Sequence, residues 1–372
     1  MKKVLFILRN HFTNDARVLK EARSLTNAGY HITIFCLWDN GLKRNETLDG
    51  IEIKRIARLP QNSPSVVQKI TSLISFSLQC LLRGSFRYDI IHCHDLDTLP
   101  IATFIKCFKP KTRLIYDAHE YETERAHIKG IVKRLYQVTE RFFIRYANAV
   151  IAVSNSIADE YERLYHIPKP YLILNCPPYQ EVEKHDLFRK RFSIRSDQMI
   201  FLYQGGLMEH RGIEMTLEAF KNVTDGNKVI VFMGYGSLEN MIKQAASEYN
   251  TIFYHEAVNQ NVLLQHTASA DVGLMLIENT SLSYYYCAPN KFYEYSMAGL
   301  PVIISNLYDM RRLVEKYDNG LIVEQNNMSR LLDVITHLTH DEIKHMQRNI
   351  PEITKKYNWE QQEKILLDIY GQ

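Results

Sequence analysis

Short apolar runs recur along the whole chain, each breaking at a polar or glycine-bearing turn that leads into a helical pattern. KKVLFIL, HITIFCL, DIIHC, LIYD and AVIAVS make one set, and MIFLYQ, KVIVFMG, TIFYH, VGLML and VII a second. Runs of this length between amphipathic helices read as buried parallel strands with crossover helices, so the chain is α/β throughout. No solenoid period relates one unit to the next; there are two successive sets of strand and helix units. The stretch NCPPYQEVEKHD, where periodicity lapses, is the linker between them. A length of 372 residues suits two domains at ~150 residues each. They are placed at 1–175 and 180–350, with a last amphipathic helix over 357–372.

Composition then excludes several classes. Hydrophobic residues make up 46% and charged residues 23%, the balance of a soluble globular chain. VLFIL follows two lysines and gives way at once to RNHFTND, so it reads as a first strand and not as a cleavable signal. No uninterrupted apolar segment reaches the ~18–20 residues that span a bilayer. The six cysteines are scattered without a CxxC pair, which suits a reducing cytoplasm and argues against a disulfide framework or zinc site. Charge is uneven: residues 1–175 hold 26 Lys and Arg against 17 Asp and Glu, and the remainder 19 against 25. A basic first half favours an anionic surface or an anionic acceptor. Nucleic acid is disfavoured, because no zinc finger, RNP or helix-turn-helix pattern accompanies the charge.

Open parallel sheets bind ligands at the carboxyl ends of their strands, which directs attention to the residues just after each apolar run. The first such loop makes Asp15 and Arg17 candidates, although Asn14 or Asp15 serves equally as the N-cap of a helix with Ala16, Leu19, Ala22 and Leu25 inward. DIIHC ends at His94 and Asp95. Its HCH resembles a metal pair, but adjacent strand positions alternate faces and no third ligand follows at usable spacing, so no metal is expected. The acids of DLD read as caps for the next helix. LIYDAHEYETE runs into His119, Glu120 and Glu122, where a neutral imidazole can donate to a ligand hydroxyl or carbonyl, or be satisfied by local backbone. Arg125 to Ala147 reads as one helix in which six Lys and Arg are interleaved with Ile, Leu, Tyr and Phe. Such a helix suits a lipid headgroup layer or an ordinary solvated surface.

In the second half, Gly205 and Gly206 let backbone approach a ligand closely, with Arg211 within reach of the same point. Gly234 and Gly236 make a second glycine turn. PNKFYEYSMAGLPVI, from Pro289 to Ile303, reads as loop, short helix, glycine stop at Gly299 and buried strand. The helix N-terminus at Asn290 offers unpaired N–H groups and Lys291 adds a charge, so the natural guest is a phosphate. Glu294, one turn inside, is placed to accept from vicinal hydroxyls.

Together these segments resemble the GT-B glycosyltransferases of family 4, which are retaining and metal-independent. The resemblance is carried by NDARVLKEARSLTNAGYHITIF, IIHCHD, YDAHE, VSNSI, ILNCPP, YQGGLMEHRGIE, MGYGSLE, SADVGLMLIE and PNKFYEYSMAGLPVI, and covers essentially the whole chain. It implies two doubly wound Rossmann-like domains facing a central cleft, the second holding a nucleotide sugar, with no cofactor and no metal. It makes Glu294 the match for the second glutamate of the family's E-x7-E, which holds the ribose. Arg211 matches the residue that grips the diphosphate, and His119 the histidine facing the donor sugar. Gly205, Gly206, Gly236, Asn290 and Lys291 complete the donor side; Asp15, Arg17, His94 and Asp95 fall on the acceptor side. The final helix is implied to cross back, laying Tyr357 to Tyr370 against residues 1–175.

Three positions depart from the family pattern. The first glutamate of E-x7-E falls at Tyr286, with Glu278 the nearest substitute; the usual arginine after the first glycine is Gly206, which leaves Lys291 in its place; and NHFTND replaces the N-terminal glycine pair. The expected donor is a nucleotide sugar, a UDP-sugar favoured over a GDP-sugar, and the expected acceptor a glycan or lipid-linked glycan of the cell surface. The scattered cysteines, and the basic first half with its Arg125 to Arg145 segment, point to a cytoplasmic location, peripheral to the inner face of the plasma membrane. The alternatives are a nucleotide-sugar epimerase of the same fold and a sugar-nucleotide-binding partner without turnover.

Overall fold

Val4, Leu5, Phe6 and Ile7 of the first apolar run are all buried, as the middle strand of a parallel sheet covered on both faces requires. In the computed structural model, which describes residues 1–58, 66–224 and 226–372, this run is strand β1 (Lys3–Ile7) of an eight-stranded sheet. The chain divides into two units, Met1–Ile173 with Glu363–Gln372, and Leu174–Gln362.

The first unit adds β2 (His31–Trp38), β3 (Asn45–Leu48), β4 (Ile51–Arg58), β5 (Ile90–His94), β6 (Arg113–Asp117), β7 (Ala149–Ala152) and β8 (Tyr171–Leu172) in the order β3-β4-β2-β1-β5-β6-β7-β8. Among the described residues only the β3–β4 hairpin is antiparallel. The order reverses direction between β1 and β5, and it is at such a switch point that the strand ends of a doubly wound sheet open a site. Helices α1 (Ala16–Asn27), α2 (Val66–Leu82), α3 (Leu99–Phe108), α4 (Gly130–Phe143) and α5 (Asn155–Tyr165) cross between the strands.

The helix expected over Arg125 to Ala147 is shorter than its pattern suggested. Gly130 at φ +59 opens α4, and the chain passes into a 3-10 turn at Ile144–Tyr146. Arg125 and Lys129 therefore precede the helix, and the Arg125 guanidinium turns to Glu122 (2.6 Å) and Glu120 (3.3 Å). The acids of DLD do not cap α3 either: its N-cap is Thr98 without a side-chain bond. Asp97 instead pairs with Arg9 at 2.6 Å, a longer-range partner than a cap would be.

In the second unit β9 (Met199–Gly206), β10 (Lys228–Tyr235), β11 (Ile252–His255), β12 (Val272–Met275), β13 (Val302–Ser305) and β14 (Gly320–Val323) form a wholly parallel sheet, ordered β11-β10-β9-β12-β13-β14. The switch point lies between β9 and β12. Helix Asn290–Met297, between β12 and β13, is locked to the sheet by Tyr295, whose hydroxyl donates to the Leu202 carbonyl (3.0 Å) and accepts the Gln204 N–H (3.1 Å). Gly273 makes room for that ring, since a Cβ there would sit 2.5 Å from it. The last helix, Trp359–Gly371, starts in the second unit, while its residues from Glu363 belong to the first. Tyr357 is correspondingly packed against Tyr293 and Tyr317 of the second unit, not against residues 1–175 as implied. Tyr370 does meet the first unit, at Tyr30 and His92.

Candidate active site

In the second unit, extended Pro289 caps helix Asn290–Met297 without a side-chain bond, so the first-turn N–H groups keep their capacity for an anion. Lys291 is buried, its Nζ 4.3 Å from the centre of the Tyr203 ring. It lies against Gly205, where a Cβ would stand 3.4 Å from Nζ and where φ is +117, a conformation that favours glycine. The Arg211 guanidinium lies over the Tyr284 ring at 4.9 Å. Among the described residues neither cation is in a salt bridge. Burial first, and the like charge of Arg211 second, lower the Lys291 ammonium to about 7, against the pull of Glu294. The full charge expected of Lys291 is thus corrected: in the free protein it is held near half-protonation at neutral pH.

Glu294 is buried and oriented. One carboxylate oxygen accepts from Gln204 Nε2 (2.7 Å), the other from Asn290 Nδ2 (3.1 Å), and Gln204 Oε1 accepts from the Thr267 hydroxyl (2.7 Å). Gln204 escaped the sequence reading; its signal was a lone polar residue ending the apolar run MIFLYQ. Gly206 pairs in register with Tyr235, so Gly236 opens the neighbouring turn on β10. Tyr286 packs on Tyr285 and Tyr308, and Glu278 accepts from or pairs with His210 at 2.9 Å.

In the first unit, the ends of β1, β5 and β6 gather the other candidates. Asp15 is the N-cap of α1, accepting the Val18 N–H (3.1 Å) and Asn10 Nδ2 (2.8 Å). Arg17 and His94, expected on the acceptor side, are both buried, with their side chains bonded within the unit. Arg17 is the second residue of α1 and donates to both oxygens of Asp117 (3.0 and 2.8 Å) and to the Ile173 carbonyl (2.8 Å). His94 Nδ1 lies 3.0 Å from His119 Nε2, which is 3.2 Å from Asp117. Asp95, in the left-handed region at φ +62, accepts the His119 N–H at 3.3 Å and keeps part of its surface open.

Asp117 and Glu21, both missed from sequence, organise this group. Burial would raise Asp117, but the Arg17 guanidinium and then His119 outweigh it and hold its carboxyl well below the usual range. Burial would lower His119, yet the charges of Asp95 and Asp117 push it up to about 9. His119 is therefore an imidazolium at neutral pH, where a neutral ring was expected. Glu21 faces Arg17 at 3.2 Å and is pushed up to about 8, chiefly by burial and then by Asp117. The i, i+4 spacing of Arg17 and Glu21 was the available signal, hidden because the apolar stripe appeared to run through Ala16 and Leu19, which are only half-buried.

His92 and His94 correct one step of the metal argument. They are two residues apart, share a face of β5 and stack at 4.3 Å. Glu21, His92, His94 and Asp117 each offer a ligand atom within 4.8 Å of the others. The Arg17 guanidinium already stands against both carboxylates and supplies positive charge there.

The family described as Glycosyltransferase Family 4 matches residues 16–176, and that described as Glycosyl transferases group 1 matches residues 184–357. The chain is 22% identical to an uncharacterized glycosyltransferase of Methanocaldococcus jannaschii, over 94% of this chain and 91% of that protein. It is 24% identical to the UDP-Gal:alpha-D-GlcNAc-diphosphoundecaprenol alpha-1,3-galactosyltransferase of Escherichia coli, over 87% and 84%. Among solved structures, sucrose-phosphate synthase from Thermosynechococcus elongatus superposes with a TM-score of 0.82 at 17% identity, covering 100% of this chain and 98% of that one. At that identity the likeness is one of fold.

Proposed function

The chain belongs to the group 1 glycosyltransferases and has the GT-B fold, and from that premise we propose that it transfers a sugar from a UDP-sugar to a hydroxyl of a lipid-linked glycan, with retention and without a metal. The observation that carries the reading is the pair Arg211 and Lys291, two cations without a salt bridge among the described residues, beside Gly205 and an uncapped helix N-terminus. Breaking the bond from the anomeric carbon to the donor oxygen leaves negative charge on the diphosphate and positive charge on the ring. Preorganised cations and N–H groups stabilise the first of these charges more in the transition state than in the bound donor. Gln204 and Asn290 hold Glu294 so that its carboxylate takes the ribose hydroxyls.

For retention, the acceptor oxygen attacks on the face from which the diphosphate departs. Its bond to the anomeric carbon forms as the old one breaks, and its proton passes to the departing phosphate oxygen. No protein base is needed, and His119 is assigned a hydrogen bond to the sugar as an imidazolium. The name of the Escherichia coli relative, with its UDP-sugar donor and diphosphoundecaprenol-linked acceptor, supports a similar pair of substrates here, and we assign the transfer to cell-surface polysaccharide or glycolipid synthesis.

The test is incubation with a panel of UDP- and GDP-sugars and a lipid-diphosphate glycan acceptor, with and without EDTA. Transfer from a UDP-sugar with the anomeric configuration kept, undiminished by EDTA, is expected. Loss of activity on chelation, an epimer as product, or binding without turnover would each overturn it.

A further inference from the structure

Glu140 fixes which way α4 faces. Its buried carboxylate accepts hydrogen bonds from three phenols, Tyr116 (2.6 Å), Tyr161 (2.8 Å) and Tyr165 (2.6 Å). Positions 131, 135, 138 and 142 fall on the opposite side of the helix. There Ile131, Leu135 and Val138 are 76%, 60% and 67% exposed, with Phe142 exposed beyond them. A stripe at this spacing is what a helix ordinarily turns inward, but the inward side is taken by Glu140 and its tyrosines.

Neighbouring helices repeat the pattern. α3 packs beside α4 and exposes Phe104 and Phe108; α2 packs beside α3 and exposes Ile74, Leu78 and Leu82 on the side away from buried Phe76 and Cys80. Phe86, in the turn Ser85–Arg87 that follows α2, meets Phe108 of α3 edge-on with ring centres 6.4 Å apart. Exposed apolar stripes on adjoining helices mark an interaction site.

Its charge selects the partner. The segments 71–88, 99–112 and 129–146 contain ten Lys and Arg and one acid, the buried Glu140. Arg134 and Arg141 are exposed along one flank of the α4 stripe, and the Arg145 guanidinium lies 5.5 Å from the Phe142 ring centre. A second copy docked on this face would set cations against cations. Anionic headgroups neutralise them, while the acyl boundary accepts the apolar stripes.

We infer that α2, α3 and α4 form a membrane-binding face, with its cations at the level of anionic phosphates and the α4 stripe beneath them. The inference rests on the reading that the acceptor is lipid-linked, but its test scores binding and not transfer, so the two fail separately. The full chain is floated with vesicles of phosphatidylcholine containing phosphatidylglycerol, or of phosphatidylcholine alone, at low and high salt. Binding to the anionic vesicles should exceed binding to the neutral ones by roughly tenfold or more, and weaken with salt. Leu135→Glu/Val138→Glu and Arg134→Glu/Arg141→Glu should each lose roughly tenfold or more of it, with melting temperature and UDP binding unchanged. Wild-type protein that binds neither vesicle at low salt overturns the inference, as does Leu135→Glu/Val138→Glu binding like wild type. A wild-type dimer that the same variant makes monomeric, without vesicle binding, would assign the face to a second copy instead.

Discussion

Binding of a nucleoside diphosphate should draw a proton onto Lys291. In the free protein, burial and the neighbouring Arg211 lower its ammonium from 10.5 to about 7, and a diphosphate alongside restores the charged form. At about pH 8 the free side chain is then ~0.1 protonated and the liganded one essentially fully so, an uptake of ~0.9 proton per nucleotide. At about pH 6 the same group takes up only ~0.1. The nucleotide contributes little at the higher pH, because its phosphate, with a last pKa of ~6, is already ionised. Titration calorimetry of UDP at about pH 8, in buffers of different ionisation enthalpy, reads the uptake as the slope of observed heat against buffer enthalpy. Above about pH 7 the affinity should also fall, by up to ~tenfold per pH unit. Lys291→Met keeps the aliphatic stem and should bring the slope near zero. Stability of the free protein moves the other way: unfolded lysine keeps a proton that the buried one has given up, so this group adds stability as pH rises from about 7 towards 10.5. A zero slope for the wild type, or an unchanged slope in Lys291→Met, would refute the charge assignment.

Glu294→Gln should raise the donor KM while leaving kcat nearly intact, since a ribose contact is engaged equally before and during bond cleavage; steady-state kinetics in donor distinguish this from a matching fall in kcat. His119→Ala should lower transfer ~10²-fold or more with UDP affinity kept, measured by turnover at saturating donor beside calorimetry. The charge on His119 stabilises the fold fully below 6.5 and is lost as pH rises through about 9, so urea midpoints of wild type and His119→Ala should converge across that window. Glu140→Ala leaves two buried phenols, Tyr116 and Tyr161, and the half-buried one of Tyr165 without their acceptor and should cost ~2–4 kcal/mol in chemical denaturation, with Glu140→Gln losing less.

The strand runs, the linker and the Pro289 to Ile303 unit were legible because their periods are local. Apolar runs between glycine stops dictate strands whatever they pair with, and Ser154 caps its helix from the position next to it, accepting the Ile157 N–H. The β3–β4 hairpin carried no such period, being short and half-exposed. Site residues at strand ends were legible as positions but not as states. His119 was found, yet its protonation depends on Asp117 and Asp95, and the first of these is itself set by Arg17, exactly one hundred residues earlier in the hydrogen-bond pairing. Arg17 looked like a loop cation for the same reason: nothing within its own turn reveals that its partner is on β6. Gln204 likewise gains its meaning from Glu294 and Thr267, far along the chain.

The last turns of the final helix bear on the order in which the chain can fold as it is made. Tyr370 bonds His92 Nδ1 at 2.9 Å, and the Ile369 carbonyl accepts from Arg113 at 2.9 Å. Both partners lie in strands synthesised long before, with the whole of Leu174–Gln362 between. During translation N-terminal regions fold first, so β5 and β6 can assemble while His92 still lacks its phenol. The first unit is thus completed only after the second has been made, and a separately expressed 1–173 fragment would carry that vacancy permanently.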